Sequence, residues 1–194
     1  LSGLTHFPCL LWDENSAQTM PTPNLHTLVS ARRQLAQAGI TIDQLNAPSA
    51  SSCSSLPLLA EYGVTHAEPG HALTGTIPSN QKGDQPERIA MLWLSEISHN
   101  FRGDSYCYGG GYYRRGHAQN ALVFTPENDA PIAAKLKPVD DSSIDYYLPV
   151  AGEFPVSSAV IFCFRTQIFV TRSDVVLVSG IQHGAAEIVA RYDS

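Results

Sequence analysis

Two short loops hold residue types that can grip an anion. Ser49-Ala50-Ser51-Ser52-Cys53-Ser54-Ser55 is a run of small and hydroxyl side chains directly ahead of an apolar, helix-forming stretch. Small side chains let backbone N–H groups converge and hydroxyls donate, which suits a phosphate. The plainer reading is a strand-to-helix connection with a serine cap, and taken alone the loop fits that better. The second loop, Glu68-Pro69-Gly70-His71-Ala72-Leu73, adds a carboxylate, an imidazole and a glycine that permits close backbone approach. In a parallel sheet or barrel, loops at the carboxyl ends of adjacent strands share one face, so both loops would meet a single anion.

A third stretch offers proton transfer. Tyr106, Tyr108, Tyr112 and Tyr113 surround Gly109-Gly110-Gly111, with Arg102, Arg114 and Arg115 alongside. A tyrosine, with a pKa of about 10, needs a nearby cation to act as a base at neutral pH, and these arginines could supply it. Taken alone, a glycine-rich surface turn with aromatic rings packed beneath it is the simpler reading. Nucleic-acid bases stacked on the tyrosines are a third. The glycines do not follow the GxGxxG pattern of a dinucleotide site. The 7 histidines form no HExxH, no HxH and no Cys/His ligand spacing, so no structural zinc or other metal is expected. His71 alone is a candidate, by its loop position, and Asp140-Asp141 reads as a solvated turn.

These residues sit in a folded composition, 43% apolar and 15% charged over 194 residues, which excludes general disorder. The 12 basic and 18 acidic side chains leave a net charge of −6, an argument against a nucleic-acid partner. No run reaches the roughly 18 apolar residues of a membrane span. Cys9, Cys53, Cys107 and Cys163 stand far apart with no CxxC, the pattern of reduced thiols in a cytoplasmic protein. The chain opens at Leu1 and enters an apolar run with no polar lead-in, so it reads as the second part of a longer polypeptide.

The elements that must position the loops follow from pattern. Leu4–Trp12 reads as a strand and 13–22 as a polar loop. Thr22-Pro23 opens a helix with Leu25, Leu28, Val29, Leu35 and Ala36 on one face, and Gly39 stops it. Ile40–Leu45 is a second strand, Leu56–Tyr62 a short helix closed by Gly63, and Val64–Glu68 a third strand. This is βαβ grammar. After Pro78 the pattern changes, with a polar stretch over Asn80–Glu87. Strands are then expected at Ile89–Ile97, Ala121–Phe124, Tyr146–Val150, Val160–Val170, Val175–Ser179 and Glu187–Ala190, an antiparallel β domain.

Asn46-Ala47-Pro48-Ser49-Ala50 followed by Glu68-Pro69-Gly70-His71-Ala72-Leu73-Thr74-Gly75 resembles the two phosphate-side loops of alanine racemases and related fold-type III pyridoxal-phosphate enzymes. Cys107-Tyr108-Gly109-Gly110-Gly111-Tyr112 resembles the tyrosine-glycine motif that carries their second catalytic base. Ser143-Ile144-Asp145 is similar to the segment of their C-terminal β domain that lines the substrate pocket. Arg191-Tyr192 is similar to their C-terminal stretch, whose tyrosine reaches the phosphate. Order and approximate spacing agree across essentially the whole chain, and the sequence resembles in particular the YhfX-type group of predicted amino-acid racemases.

The resemblance implies α/β followed by all-β: residues 1–78 as the C-terminal part of a (β/α)8 pyridoxal-phosphate-binding barrel and 79–194 as a C-terminal β domain. It also implies a homodimer in which the tyrosine motif of one subunit completes the pocket of the other. Ser49, Ala50 and Ser51, with the backbone of Gly70 and His71, would hold the phosphate, Tyr192 would reach it, Glu68 would face the pyridine nitrogen, and Tyr108 would be the proton-transfer base. Tyr106, Tyr112 and Tyr113 stay open as alternatives, because Gly110 stands where the racemase motif carries aspartate. Alanine racemases place arginine where Glu68 stands. A carboxylate there favours the protonated ring, strengthens it as an electron sink and stabilises a carbanion at the α-carbon. In this the chain resembles basic-amino-acid decarboxylases of the same fold type.

The family's cofactor lysine ends the first barrel strand, and none of Lys82, Lys135 and Lys137 is so placed. The missing N-terminal barrel segment is therefore expected upstream. The reading is a pyridoxal-phosphate-dependent amino-acid racemase-like protein, with this chain a fragment lacking the Schiff-base lysine. A decarboxylase or aldolase of the same fold type is the enzymatic alternative, and a non-catalytic cofactor-binding or dimerisation module the other.

Overall fold

A computed structural model of the chain describes residues 1–113, 119–138, 144–163 and 173–193. Arg114, Arg115, Asp140, Asp141, Ser143 and residues 164–170 of the strand expected from Val160 lie outside the described residues. The chain divides into two compact units, with the change from one to the other at Leu92/Trp93.

In the first unit, β1 (Gly3–Thr5) pairs in parallel with β4 (Gln44–Asn46), Leu4 opposite Leu45 and Thr5 opposite Asn46. Asn46 in turn makes a parallel bridge to His66. Helices α1 (Pro23–Gln37) and α2 (Leu56–Glu61) are the crossovers between these three parallel segments. Thr22 caps α1, its hydroxyl accepting the Asn24 N–H at 3.2 Å and donating to the Pro8 carbonyl at 2.6 Å. Leu25 and Leu28 of α1 and Leu59 of α2 bury against Cys9, Leu10, Ile42, Leu45 and Ala47.

The single strand expected over Leu4–Trp12 is two elements, broken at Phe7-Pro8. The second, β2 (Leu10–Asp13), pairs with β3 (Gln18–Pro21), inside the stretch expected as loop. Its turn is built by Asp13, whose carboxylate accepts from the Asn15 and Ser16 N–H groups and from the Ser16 hydroxyl. These bonds, that of the Ser16 hydroxyl foremost, hold the Asp13 carboxyl below its usual pKa.

The second unit is a six-stranded antiparallel sheet in the order β8-β7-β10-β5-β6-β9. Its strands are β5 (Trp93–Phe101), β6 (Asp104–Tyr113), β7 (Asn120–Phe124), β8 (Ile132–Lys135), β9 (Ile144–Ala151) and β10 (Ala159–Phe162). The sheet curls until its ends meet: Leu136 bridges Val150, and the Lys137 N–H donates to the Pro149 carbonyl at 2.8 Å. Ile97, Cys107, Val123, Leu148, Val150, Val160 and Phe162 are buried.

The expected glycine-rich surface turn is instead strand β6, paired on both sides, with β5 and with β9. Tyr108 lies opposite Tyr147 and Tyr112 opposite Asp145, so four steps on β6 face two on β9. The glycines fill this bulge, which explains why the stretch shows no strand periodicity. A separate hairpin joins β11 (Val175–Ser179) to β12 (Glu187–Tyr192). Among the described residues no helix is long and apolar enough to cross a membrane.

Candidate functional site

In the first unit the carboxyl ends of the parallel segments carry Thr5, Asn46 and, two residues past the His66 bridge, Glu68. The Asn46 side-chain amide donates to Thr5 Oγ1 at 3.2 Å and to Glu68 Oε1 at 2.5 Å, so Glu68 is held in place although exposed. The buried Asn46 Oδ1 has no partner among the described residues. Residue type alone marks Glu68 but neither Thr5 nor Asn46. Each is the last residue of its strand, a position that only the register reveals.

After β4 the chain passes through buried Ala47 and Pro48 into Ser49 and Ala50, which take positive φ values of 87° and 48°. Neither is glycine, and left-handed backbone costs such residues about 1–2 kcal/mol each. The loop is held by Ser55, whose hydroxyl donates to the Ala50 carbonyl at 3.1 Å and accepts the Ser52 N–H at 2.9 Å. Ser55 makes no side-chain cap bond to α2, so the serine-cap reading of this loop does not describe what the hydroxyl does.

Ser51 is 4% exposed, and its Oγ has no partner among the described residues. The Cys53 N–H donates to Glu87 Oε1 at 2.6 Å, while Glu87 Oε2 is buried without a partner among the described residues. A carboxylate of this chain thus already stands on one donor of the serine loop. It also pushes the exposed Cys53 thiol above its ordinary pKa, first by hydrogen bonding and then by charge. Gly70 has open space where a Cβ would be, and His71 begins a short 3-10 turn over His71–Thr74. Nothing in the first unit would touch a side chain at 70, which leaves room for a ligand's close approach.

In the second unit Tyr108 is 45% exposed and its ring lies 5.6 Å from that of Tyr147. Tyr106 stacks on His99 with centroids 4.8 Å apart, and His99 meets the Tyr147 ring edge-on at 5.4 Å. His99 is therefore the cationisable ring in contact with a candidate tyrosine. Arg102, expected to serve that purpose, stands over the Phe101 ring at 5.0 Å. Of Tyr112 and Tyr113 the backbone alone is described. Tyr192 lies on β12 and is 58% exposed; its neighbour Arg191 pairs with Asp174 and Asp193. Lys137 pairs with Asp104 at 2.5 Å, and Lys135 donates to Asn120.

A groove of about 570 Å³ lies on the first unit, lined by His26, Arg32, Arg33 and Tyr62 among others. None of the candidate residues lines it; in the first unit the side chains of Thr5, Asn46 and Glu68 meet instead at the strand ends. All four cysteines are free thiols, and among the described residues no three His, Cys, Asp or Glu side chains gather as a metal site.

A family described as "YhfX-like, C-terminal domain" matches residues 92–188. A relative from Escherichia coli (strain K12), named "Uncharacterized protein YhfX", is 80% identical over all 194 residues, and the chain spans 50% of that protein's length.

Proposed function

The chain belongs to the YhfX-like family, and from that premise we propose that it supplies the phosphate-side and ring-nitrogen half of a pyridoxal-phosphate site, together with a tyrosine acid/base, in a cytoplasmic amino-acid racemase. The observation that carries this reading is the serine loop: two left-handed non-glycine residues, a buried Ser51 hydroxyl without a partner among the described residues, and a resident carboxylate on the Cys53 N–H. An anion fits that donor set.

Pyridoxal phosphate, when bound, draws electrons from the substrate α-carbon so that its proton can leave. Ser49, Ala50 and Ser51, with the backbone of Gly70 and His71, would hold the phosphate. Glu68, steadied by Asn46, would accept the ring N–H and favour the protonated ring. Tyr108 would move the α-proton on one face. The opposite-face lysine is none of Lys82, Lys135 and Lys137, and this reading assigns it to the part of a longer protein that these residues do not cover.

The test is to titrate the chain with pyridoxal phosphate and, separately, with pyridoxal. Binding that needs the phosphate and weakens about tenfold in Ser51→Ala supports the site; equal binding of both compounds overturns it. In the full-length protein, production of D-isomers from L-amino acids, lost in Tyr108→Phe, supports racemisation. Release of CO₂ or aldehyde without D-isomer favours the decarboxylase or aldolase reading, which the carboxylate at Glu68 suggests. Mass measurement of the native protein tests the homodimer.

A further inference from the structure

Glu87 reaches the serine loop from a compact Ω-shaped segment. The stem of that segment is tied where the Ala90 N–H donates to the Thr74 carbonyl at 2.9 Å and where Gly75 packs on the backbone of Arg88. Inside it, the buried Asn80 amide donates to the Gly75 carbonyl at 3.0 Å and to the Glu87 carbonyl at 2.9 Å, and Asn80 Oδ1 accepts the Gln85 N–H at 3.2 Å. The backbone at Glu87 is thus anchored, and its side chain ends on the Cys53 N–H. One carboxylate oxygen is satisfied there. The other, Oε2, is buried without a partner among the described residues, an arrangement that costs free energy until a donor arrives or the group leaves.

We propose that Glu87 is a specificity-determining residue of the Ser49–Cys53 loop: an incoming anion must displace its carboxylate, so the loop admits dianionic phosphate groups and turns away monoanions. The proposal rests on the reading of the loop as a phosphate site. A tethered carboxylate competes at an effective concentration in the millimolar range or above. A free monoanion offers the loop the same charge without the tether and loses the competition. A dianion offers twice the charge and can share it with the Ser51 hydroxyl, which the carboxylate leaves without a partner. Because Oε2 is already unsatisfied, moving Glu87 out to water recovers part of what the exchange costs.

The test is calorimetric titration of the 194-residue chain, as wild type, Glu87→Gln and Glu87→Ala, with inorganic phosphate and with acetate at pH 8. Wild type is expected to bind phosphate and to show no acetate binding at millimolar concentration. Both variants are expected to bind phosphate about tenfold more tightly, and Glu87→Ala to gain acetate binding. Equal phosphate affinity in wild type and the folded variants overturns the role of Glu87 and leaves the phosphate loop standing. Weaker binding in both variants also overturns it, since Glu87 would then support the ligand. No phosphate binding by any of the three overturns the role of Glu87 and the loop reading together. Two variants are used so that a folding defect in one leaves the test in force, and far-ultraviolet circular dichroism checks each.

Discussion

Asn46 Nδ2 donates to Glu68 Oε1 at 2.5 Å, joining the end of one parallel segment to the end of the next. The amide cannot lose its proton and donates twice, to Thr5 as well, so the three strand ends are tied by one uncharged side chain. A carboxylate that would otherwise swing freely in solvent is thereby given one direction.

That tie predicts a measurable coupling. In a Trp93→Phe background Trp12 is the tryptophan of the first unit, and urea unfolding read on its fluorescence should give Asn46→Ala and Glu68→Ala effects that do not add. A coupling of about 0.5–1.5 kcal/mol is expected, because solvent screens this exposed bond below what a buried bond to a carboxylate would give. Additive effects would show that the two side chains ignore each other in solution.

Cys107 is fully buried, and burial pushes its thiol from 9.0 up to about 11. The raised pKa means that the fold favours the protonated form. Its stabilising contribution is fully present below pH 9.0, and is lost as pH rises through about 11. The loss should be about 2–3 kcal/mol at most, because one pKa unit corresponds to about 1.4 kcal/mol. Between pH 8.5 and 11 the unfolding free energy of Cys107→Ala should therefore fall less steeply than that of wild type. Parallel curves would remove Cys107 as the cause.

Gly75 and Gly83 share nearly the same backbone, φ +70° and +69°, but not the same surroundings. A Cβ on Gly75 would stand 2.2 Å from the Arg88 carbonyl oxygen, whereas one on Gly83 would meet nothing within 4 Å. Gly83→Ala should cost about 1–2 kcal/mol, the left-handed penalty alone. Gly75→Ala should cost at least about 2 kcal/mol more, since backbone must move. Equal melting shifts for the two would place the stem of the Ω-segment elsewhere.

Cys53 is exposed but its thiolate is disfavoured by Glu87. Glu87→Gln removes the charge, so alkylation of Cys53 by iodoacetamide at pH 8 should quicken severalfold, with peptide mapping to assign the label. An unchanged rate would mean that the two groups do not meet.

Helix α1 was legible because its signals are local: a threonine cap, a proline at the first turn and leucines at helical spacing all lie within one stretch. The hairpin of β2 and β3 was not, because Gln18–Pro21 is a polar strand in a two-stranded ribbon and its turn depends on the Asp13 side chain. Strand β6 hid behind its glycines, whose place in the sheet is decided by β5 and β9 on either side. The strand ahead of it, expected at Ile89–Ile97, forms at Trp93–Phe101, a shift of the kind that apolar runs without turn residues allow. At the candidate site the loops announced themselves by residue type. Asn46, Glu87 and His99 did not, since their importance comes from contacts that span from 7 to 48 positions along the chain.

Strand β10 lies between β5 and β7, with Ala159 opposite both Glu96 and Phe124. During synthesis β5 must therefore wait on one side for a neighbour encoded about sixty residues later, a separation that places this unit among slow, non-local folders. Until Phe162 has left the ribosome, one hydrogen-bonding edge each of β5 and β7 stays open to water and to other chains. Chaperone dependence and inclusion-body formation on rapid expression are the expected cellular signs, and slower translation between β7 and β10 would lengthen the exposure.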